Sequence, residues 1–257
     1  MLNFRNTNVL FICVLTISIA CNLWVKVPFY TYLILVAAYS ATLFYGCYYI
    51  WSNFFIRVIC SAGTDKKVIA ISFDDGPDAI QTPEILKILK ENEVQAAFFC
   101  IGNRIAGNES LINQLNDEGH VIGNHSFSHH FWFDMFSSQK MLADMQKMDE
   151  EVKRVVGKTP KLFRPPYGVT NPNLRRAVTN GNYTPVGWSV RSMDTVVKDE
   201  KTLLDKMTSK IKPGAVFLFH DTSAVTVAML PSFIQQVRLH GYEIIRLDKM
   251  LNLQAYV

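Results

Sequence analysis

The chain has 257 residues, of which 49% are hydrophobic and 19% charged, with a formal net charge of +4. Those proportions exclude a disordered chain, a collagen-like chain and a small disulfide scaffold. Residues 1–60 carry only Arg5, Lys26 and Arg57 and no acid, so the rest of the chain is close to neutral and lacks the clustered basic face of a nucleic-acid binder.

Val9–Val25 is uncharged, and Lys26 and Pro28 interrupt it. At ~1.5 Å per helical residue such a stretch just crosses a hydrocarbon core of roughly 30 Å. A second uncharged stretch runs from Val27 to Ile56, with Tyr30, Tyr32, Trp51, Phe54 and Phe55 near its ends, where aromatic side chains suit a membrane interface. The expectation for residues 1–60 is a transmembrane helical hairpin with helices over about 9–25 and 29–56, the last turns lying along the lipid surface. A cleaved signal peptide followed by one anchor fits less well, because the leading segment has a single Arg and no clear small-residue cleavage pattern. Two spans put both termini on one side, and Arg5, Arg57, Lys66 and Lys67 against Lys26 favour the cytoplasmic side; one span would put the domain outside. The five cysteines (13, 21, 47, 60 and 100) form no metal-type pair and read as free thiols.

Residues 61–257 read as one domain of alternating strands and helices. Apolar runs place strands at Val68–Phe73, Ala96–Ile101, Val121–Gly123, Lys161–Arg164, Pro185–Val190, Ala215–Phe219 and Glu243–Arg246. Helical patterns lie at Thr82–Asn92, Ser110–Glu118, Ser138–Val156, Pro172–Thr179, Glu200–Ile211 and Val225–His240. Thr82 reads as an N-cap with Pro83 at the first helical position, and Gly119, Gly157, Gly181 and Gly241 as left-handed stops. This alternation predicts a parallel α/β architecture, in which ligand groups gather at the carboxyl ends of strands. The domain is short for an eightfold barrel of about 250 residues, so a distorted seven-unit barrel is expected.

Chemistry-bearing residues follow several strands. The first strand runs into Asp74-Asp75-Gly76-Pro77, and adjacent carboxylates ending an apolar strand are costly unless something binds them. The third runs into His125-Ser126-Phe127-Ser128-His129-His130. His125 and His129, four apart, share a face if the segment makes a helical turn, and two imidazoles with one carboxylate suit a zinc site that keeps an open position. His130 is out of phase. After the fourth strand come Arg164-Pro165-Pro166-Tyr167-Gly168, a fixed cation and a stiff loop able to aim the Tyr167 N–H. The sixth ends in Leu218-Phe219-His220-Asp221, with an imidazole placed for proton transfer and either Asp221 or Asp194 as its partner. Taken singly, each of these also has a structural reading as a turn, a rigid loop or a buried hydrogen-bonded histidine.

Together the segments FDDGP, HSFSHH, RPPYG, WSVRSMD and LFHD, within about residues 66–250, resemble the polysaccharide deacetylases, metal-dependent carbohydrate esterases with a distorted seven-stranded (β/α) barrel. The resemblance implies that Asp75, His125 and His129 hold one divalent ion, Zn²⁺ foremost with Co²⁺, Ni²⁺ or Mn²⁺ as alternatives. It implies Asp74 as general base oriented by Arg164, the Tyr167 N–H as oxyanion donor, and His220 as the acid that protonates the leaving amine. Leu218, Pro166 and Trp188 would line the substrate. The family's Asp-x-x-Asp-Trp pattern is here Arg191-Ser192-Met193-Asp194-Thr195, so Asp194 is expected to take over the tuning of His220 and the acetyl pocket lacks its usual Trp. The implied function is removal of N-acetyl groups from an amino sugar in peptidoglycan or a chitin-like glycan. Alternatives are a lipid-linked sugar as substrate, an inactive glycan-binding relative, or a zinc amide hydrolase for small cyclic amides. The partners implied are a glycan and the lipid bilayer, with no nucleic acid.

Overall fold

The computed structural model describes residues 2–257. After two apolar helices, α1 (Phe4–Cys21) and α2 (Phe29–Tyr48), the chain alternates through β1 (Val68–Asp74), α3 (Gln81–Glu91), β2 (Ala97–Cys100), α4 (Glu109–Asp117), β3 (Val121–Asn124), α5 (Ser138–Val156), β4 (Leu162–Phe163), α6 (Pro172–Asn180), β5 (Thr184–Pro185), β6 (Val190–Arg191), α7 (Glu200–Thr208), β7 (Ala215–His220), α8 (Ala224–Leu239), β8 (Glu243–Ile244) and α9 (Leu247–Leu251). All strand pairs are parallel, in the order β5-β4-β3-β2-β1-β7-β6, with β8 also on β1.

The two-residue period of the strands sorts their side chains. Ile69, Ile71, Phe73, Phe98, Phe217 and Phe219 point outward into one cluster with α3, α4 and α8. Ala70, Ala97, Phe99, Val121, Leu162, Val216 and Leu218 fill the interior. Helix α5 buries Met141, Met145, Met148 and Val152 along one stripe, as its spacing predicts. Each such side chain stabilises the fold by about 1.5–3 kcal/mol of burial.

The predicted strand Pro185–Val190 is divided into β5 and β6, which leaves the sheet open between them. The reason lies in the intervening backbone: the Val186 and Gly187 carbonyls accept from the Arg164 guanidinium. Residues 59–62 bridge the opening, pairing Ile59 with Val186 and Ser61 with Ala215.

Three further expectations are corrected. Thr82 lies inside α3, because its hydroxyl accepts from the Asp78 N–H and donates to Asp221, while the Asp78 carboxylate accepts from the Ile80 and Gln81 N–H groups at the helix start. Gly181 is right-handed (φ −85°), and Asn182 takes the positive φ instead. Helix α2 stops at Tyr48 rather than near residue 56, because Ile50 and Val58 are drawn into the domain core while Phe54 and Phe55 fold back on Phe4 and Gly46.

α1 and α2 pack on each other through Phe11 stacked on Tyr39 at 4.2 Å and a Tyr39 hydroxyl that donates to Asn8. Beyond the polar Arg5–Asn8 turn their surfaces are largely exposed and apolar, and both are long enough to cross a membrane. The base of the pair is fixed to the domain: the Thr170 N–H donates to the Cys47 carbonyl, the Thr170 hydroxyl to the Gly46 carbonyl, and the Phe4 N–H to the Phe54 carbonyl. Gly46 permits this approach, since a Cβ there would lie 2.2 Å from the Phe54 ring.

Candidate active site

Asp74, Asp75, His125, His129, Arg164 and His220 come together at one rim of the barrel. Asp74 ends β1 on the interior face. Asp75 then turns with φ 77°, so the next carboxylate faces the same side rather than the opposite one. This close turn needs Gly76, because a Cβ there would collide with the Asp221 carboxylate at 1.9 Å.

His125 and His129 are brought together, with ring centroids 4.9 Å apart, but by an irregular loop and not by a helical turn. Ser126 (φ 68°) and His129 (φ 42°) break the helical path. The loop is held by groups the sequence reading did not name: Asp144 accepts from the Phe127 and Ser128 N–H groups, and Asn124 accepts from the Ser126 N–H. His130 is exposed, away from the pair.

Asp75 Oδ1 lies 3.5 Å from His125 Nε2 and 3.4 Å from His129 Nε2, and one donor atom from each of the three residues falls within 4.8 Å of the others. His125 Nδ1 is 2.8 Å from the Arg164 carbonyl, which can only accept, so Nδ1 carries the proton and Nε2 is left facing Asp75. Burial alone would press the His125 pKa down, yet the charges of Asp74 and Asp75 and the Arg164 carbonyl lift it above the usual histidine value. Burial and the neighbouring His125 charge press His129 down to about 4. Burial opposes the charge on Asp75, but the surrounding histidines hold its pKa well below the usual carboxylate range. The place therefore draws positive charge and offers two imidazole nitrogens and a carboxylate, a donor set that fits a divalent ion of the zinc type.

Asp74 lies beside this trio but is bound by a cation. Arg164 Nη1 donates to its Oδ1 at 2.6 Å and to the Ser72 hydroxyl at 2.9 Å, while the rest of the guanidinium is spent on the carbonyls of residues 186 and 187. Arg164 is fully buried, with its guanidinium over the Phe99 ring at 4.0 Å. A cation held this rigidly fixes the position of one carboxylate oxygen. The other, Oδ2, is 3.9 Å from His125 Nε2.

His220 faces the trio from β7, its Nε2 4.0 Å from Asp75 Oδ2. Its Nδ1 is bonded at 2.7 Å to Asp194, one of the two candidates the residues left open; Asp221, the other, is engaged by Thr82. Asp194 also accepts from the His220 N–H, Ser192 and Thr226, so its position is strongly set. Burial works against the charged His220 ring, but the Asp194 bond and the nearby carboxylates raise its pKa. Ser192 and Thr226 were not foreseen, because nothing in their spacing marks them.

Tyr167 has φ 59°, its ring stands edge-on to His129 at 4.7 Å, and its N–H donates to no acceptor among the described residues. Pro166 is buried beneath it. Trp188 and Leu218 pack together in the barrel interior, and the Trp188 ring lies against Gly168, so close that a Cβ there would stand 2.5 Å from it. Arg191 is exposed, with its guanidinium 5.6 Å from the Trp188 ring centre.

A family model described as polysaccharide deacetylase matches residues 61–186. The chain is 32% identical over 192 residues to peptidoglycan-N-acetylmuramic acid deacetylase PdaA of Bacillus subtilis, covering 73% of each chain. It is also 32% identical over 193 residues to a peptidoglycan-N-acetylglucosamine deacetylase of Bacillus cereus, covering 70% of this chain and 69% of the relative. Among solved structures, the Bc1960 peptidoglycan N-acetylglucosamine deacetylase superposes with a TM-score of 0.73 at 31% identity, covering 77% of this chain and 94% of that one.

Proposed function

The chain belongs to the polysaccharide deacetylase family, and on that premise we propose that it is a metal-dependent hydrolase that removes N-acetyl groups from an N-acetylated amino sugar of a peptidoglycan-type glycan. The observation that carries the reading is the division of labour between neighbours: Asp75 faces both histidines while Asp74 is bound through Oδ1 to buried Arg164. A glycan-binding relative without activity would not need a buried cation aimed at one carboxylate and a buried carboxylate aimed at one histidine.

Asp75, His125 and His129 would hold the divalent ion, with Zn²⁺ favoured by the donor set. When bound, such an ion polarises a carbonyl and lowers the pKa of water toward neutrality. Asp74 accepts the proton of the attacking water on its free Oδ2, while Arg164 holds Oδ1 and so orients the carboxylate. The Tyr167 N–H donates to the carbonyl oxygen as it gains negative charge. His220, with Nδ1–H tied to Asp194, holds a proton on Nε2 for the departing nitrogen, since an amine leaves poorly unless protonated. Leu218 and Trp188 wall the place for the acetyl methyl. α1 and α2 form a membrane anchor.

The test is acetate release from peptidoglycan fragments, with products weighed by mass spectrometry. Wild type is expected to remove about 42 Da per acetyl exchanged for hydrogen, to stop in chelator and to recover with Zn²⁺; Asp74→Asn is expected to lose about 10²–10⁴ in kcat/KM. Undiminished turnover in chelator or in Asp74→Asn contradicts the assignment.

A further inference from the structure

We propose that the loop Phe131–Met135 is a second membrane contact, which applies the mouth of the active site to the bilayer, so that the amino sugar is taken from a lipid-tethered glycan. The inference rests on the deacetylase reading above and names the form in which that substrate arrives.

Three observations converge. First, the loop between His130 and α5 exposes large apolar groups to solvent: Phe131 is 68% exposed, Trp132 58% and Met135 72%. Nothing in the domain covers them. Phe131 and Trp132 meet edge-on at 4.7 Å, so they form a wedge rather than a flat platform for a sugar face. Second, the loop is tied both to the site and to the base of the helical hairpin. On one side Phe131 stands 6.4 Å from the Tyr167 ring, which itself lies against His129. On the other, Asn171 donates to the Asp134 carbonyl and Asn173 to the Phe136 carbonyl, and neighbouring Thr170 is the residue bonded to Gly46 and Cys47 at the end of α2. Third, the base of the hairpin carries the groups expected at the headgroup level. Tyr48 and Trp51 are exposed there, and the exposed Arg5, Arg57 and Arg175 line one cleft with no acidic partner among the described residues. Aromatic and basic groups in one belt match the interfacial layer of a membrane.

The apolar wedge, the catalytic rim and the hairpin base thus share one side of the molecule. If the hairpin crosses the bilayer, its base fixes the depth of the lipid surface, and the wedge lies beside it. A site held there faces the headgroup layer, the place of a glycan still attached to its lipid.

The experiment uses the full chain in vesicles of mixed zwitterionic and anionic phospholipid. Tryptophan quenching by lipids brominated near the glycerol end is compared between wild type and Trp132→Phe, the difference reporting Trp132 alone. Kinetics are then compared between a synthetic N-acetylglucosaminyl lipid in the vesicles and a soluble N-acetylglucosamine oligosaccharide, for wild type and Phe131→Ser/Trp132→Ser. The expected results are quenching of Trp132, a kcat/KM at least tenfold higher on the glycolipid, and a loss of that preference in the double variant with soluble turnover unchanged. Unquenched Trp132 overturns the membrane contact, whether or not any substrate is turned over. Equal turnover of the two substrates, or equal loss on both in the double variant, overturns the lipid-tethered substrate while leaving deacetylation standing. Quenching with no acetate from either substrate overturns the lipid-tethered substrate and the deacetylase reading together, and leaves the contact.

Discussion

Strand β3 carries a histidine at each end, and their surroundings push the two pKa values in opposite directions. His120 precedes the strand, is buried with its Nδ1 accepting from the Ala96 N–H, and burial holds its pKa down to about 4. His125 follows the strand and is at least as buried, yet the Asp74 and Asp75 charges raise its pKa. One end of the barrel holds a single imidazole whose pKa burial lowers; the other gathers carboxylates and two imidazoles whose pKa values are pushed apart, His125 up and His129 down. At the carboxyl end, Asp75, Ser126, His129, Tyr167 and Met193 all adopt positive φ, which side chains other than glycine adopt at a cost. Such strain persists where the surroundings over-determine it, here through Asp144, Asn124 and the Arg164 network.

The comparison can be broken most sharply at Arg164. Arg164→Met is expected to leave buried Asp74 uncompensated, to destabilise the fold by about 3–5 kcal/mol in urea titration and to abolish acetate release. A loss of activity with stability unchanged would mean that Arg164 does not neutralise Asp74. His220→Asn comes next, with an expected fall of about 10²–10⁴ in kcat/KM and little change in stability, because the group serves the reaction rather than the core.

Asp194→Asn sharpens the comparison through pH. Asp194 raises the His220 pKa, and the mechanism needs His220 protonated, so activity falls on the alkaline side as that proton leaves. Removing the carboxylate lowers the His220 pKa and moves the alkaline limb of kcat/KM to lower pH. An unmoved limb contradicts the role of Asp194.

The smallest effect belongs to the other end. The folded pKa of His120 lies below its ordinary 6.5, so its contribution is present above pH 6.5 and is lost as pH falls toward 4. The loss is at most about 3 kcal/mol. His120→Asn, whose side-chain oxygen can accept from the Ala96 N–H, is expected to flatten the decline in urea midpoint between pH 7 and pH 4.5. A decline as steep as that of wild type removes the contrast.

The same two ends differ in how far the sequence exposes them. The helix α5 and the strands β1, β2, β3 and β7 were legible because apolar spacing is set by local geometry, and the strand-end acids and histidines were legible because charge after an apolar run is conspicuous. What the sequence hid depends on contacts distant along the chain. Pro185–Val190 reads as a strand, yet its middle carbonyls are taken by Arg164 from 22 and 23 residues away. Ser192 and Thr226 look like surface polar residues and are buried on Asp194. Phe54 and Phe55 look like membrane aromatics and are buried against Phe4 and Gly46 at the base of the hairpin.

The adjacent aspartates decide the matter most directly, through metal content measured by elemental analysis on chelated and reloaded protein. The account predicts one Zn²⁺ per chain in wild type, one retained in inactive Asp74→Asn, and none in Asp75→Ala. Retention by Asp75→Ala, or loss of the ion on replacing Asp74, would contradict it.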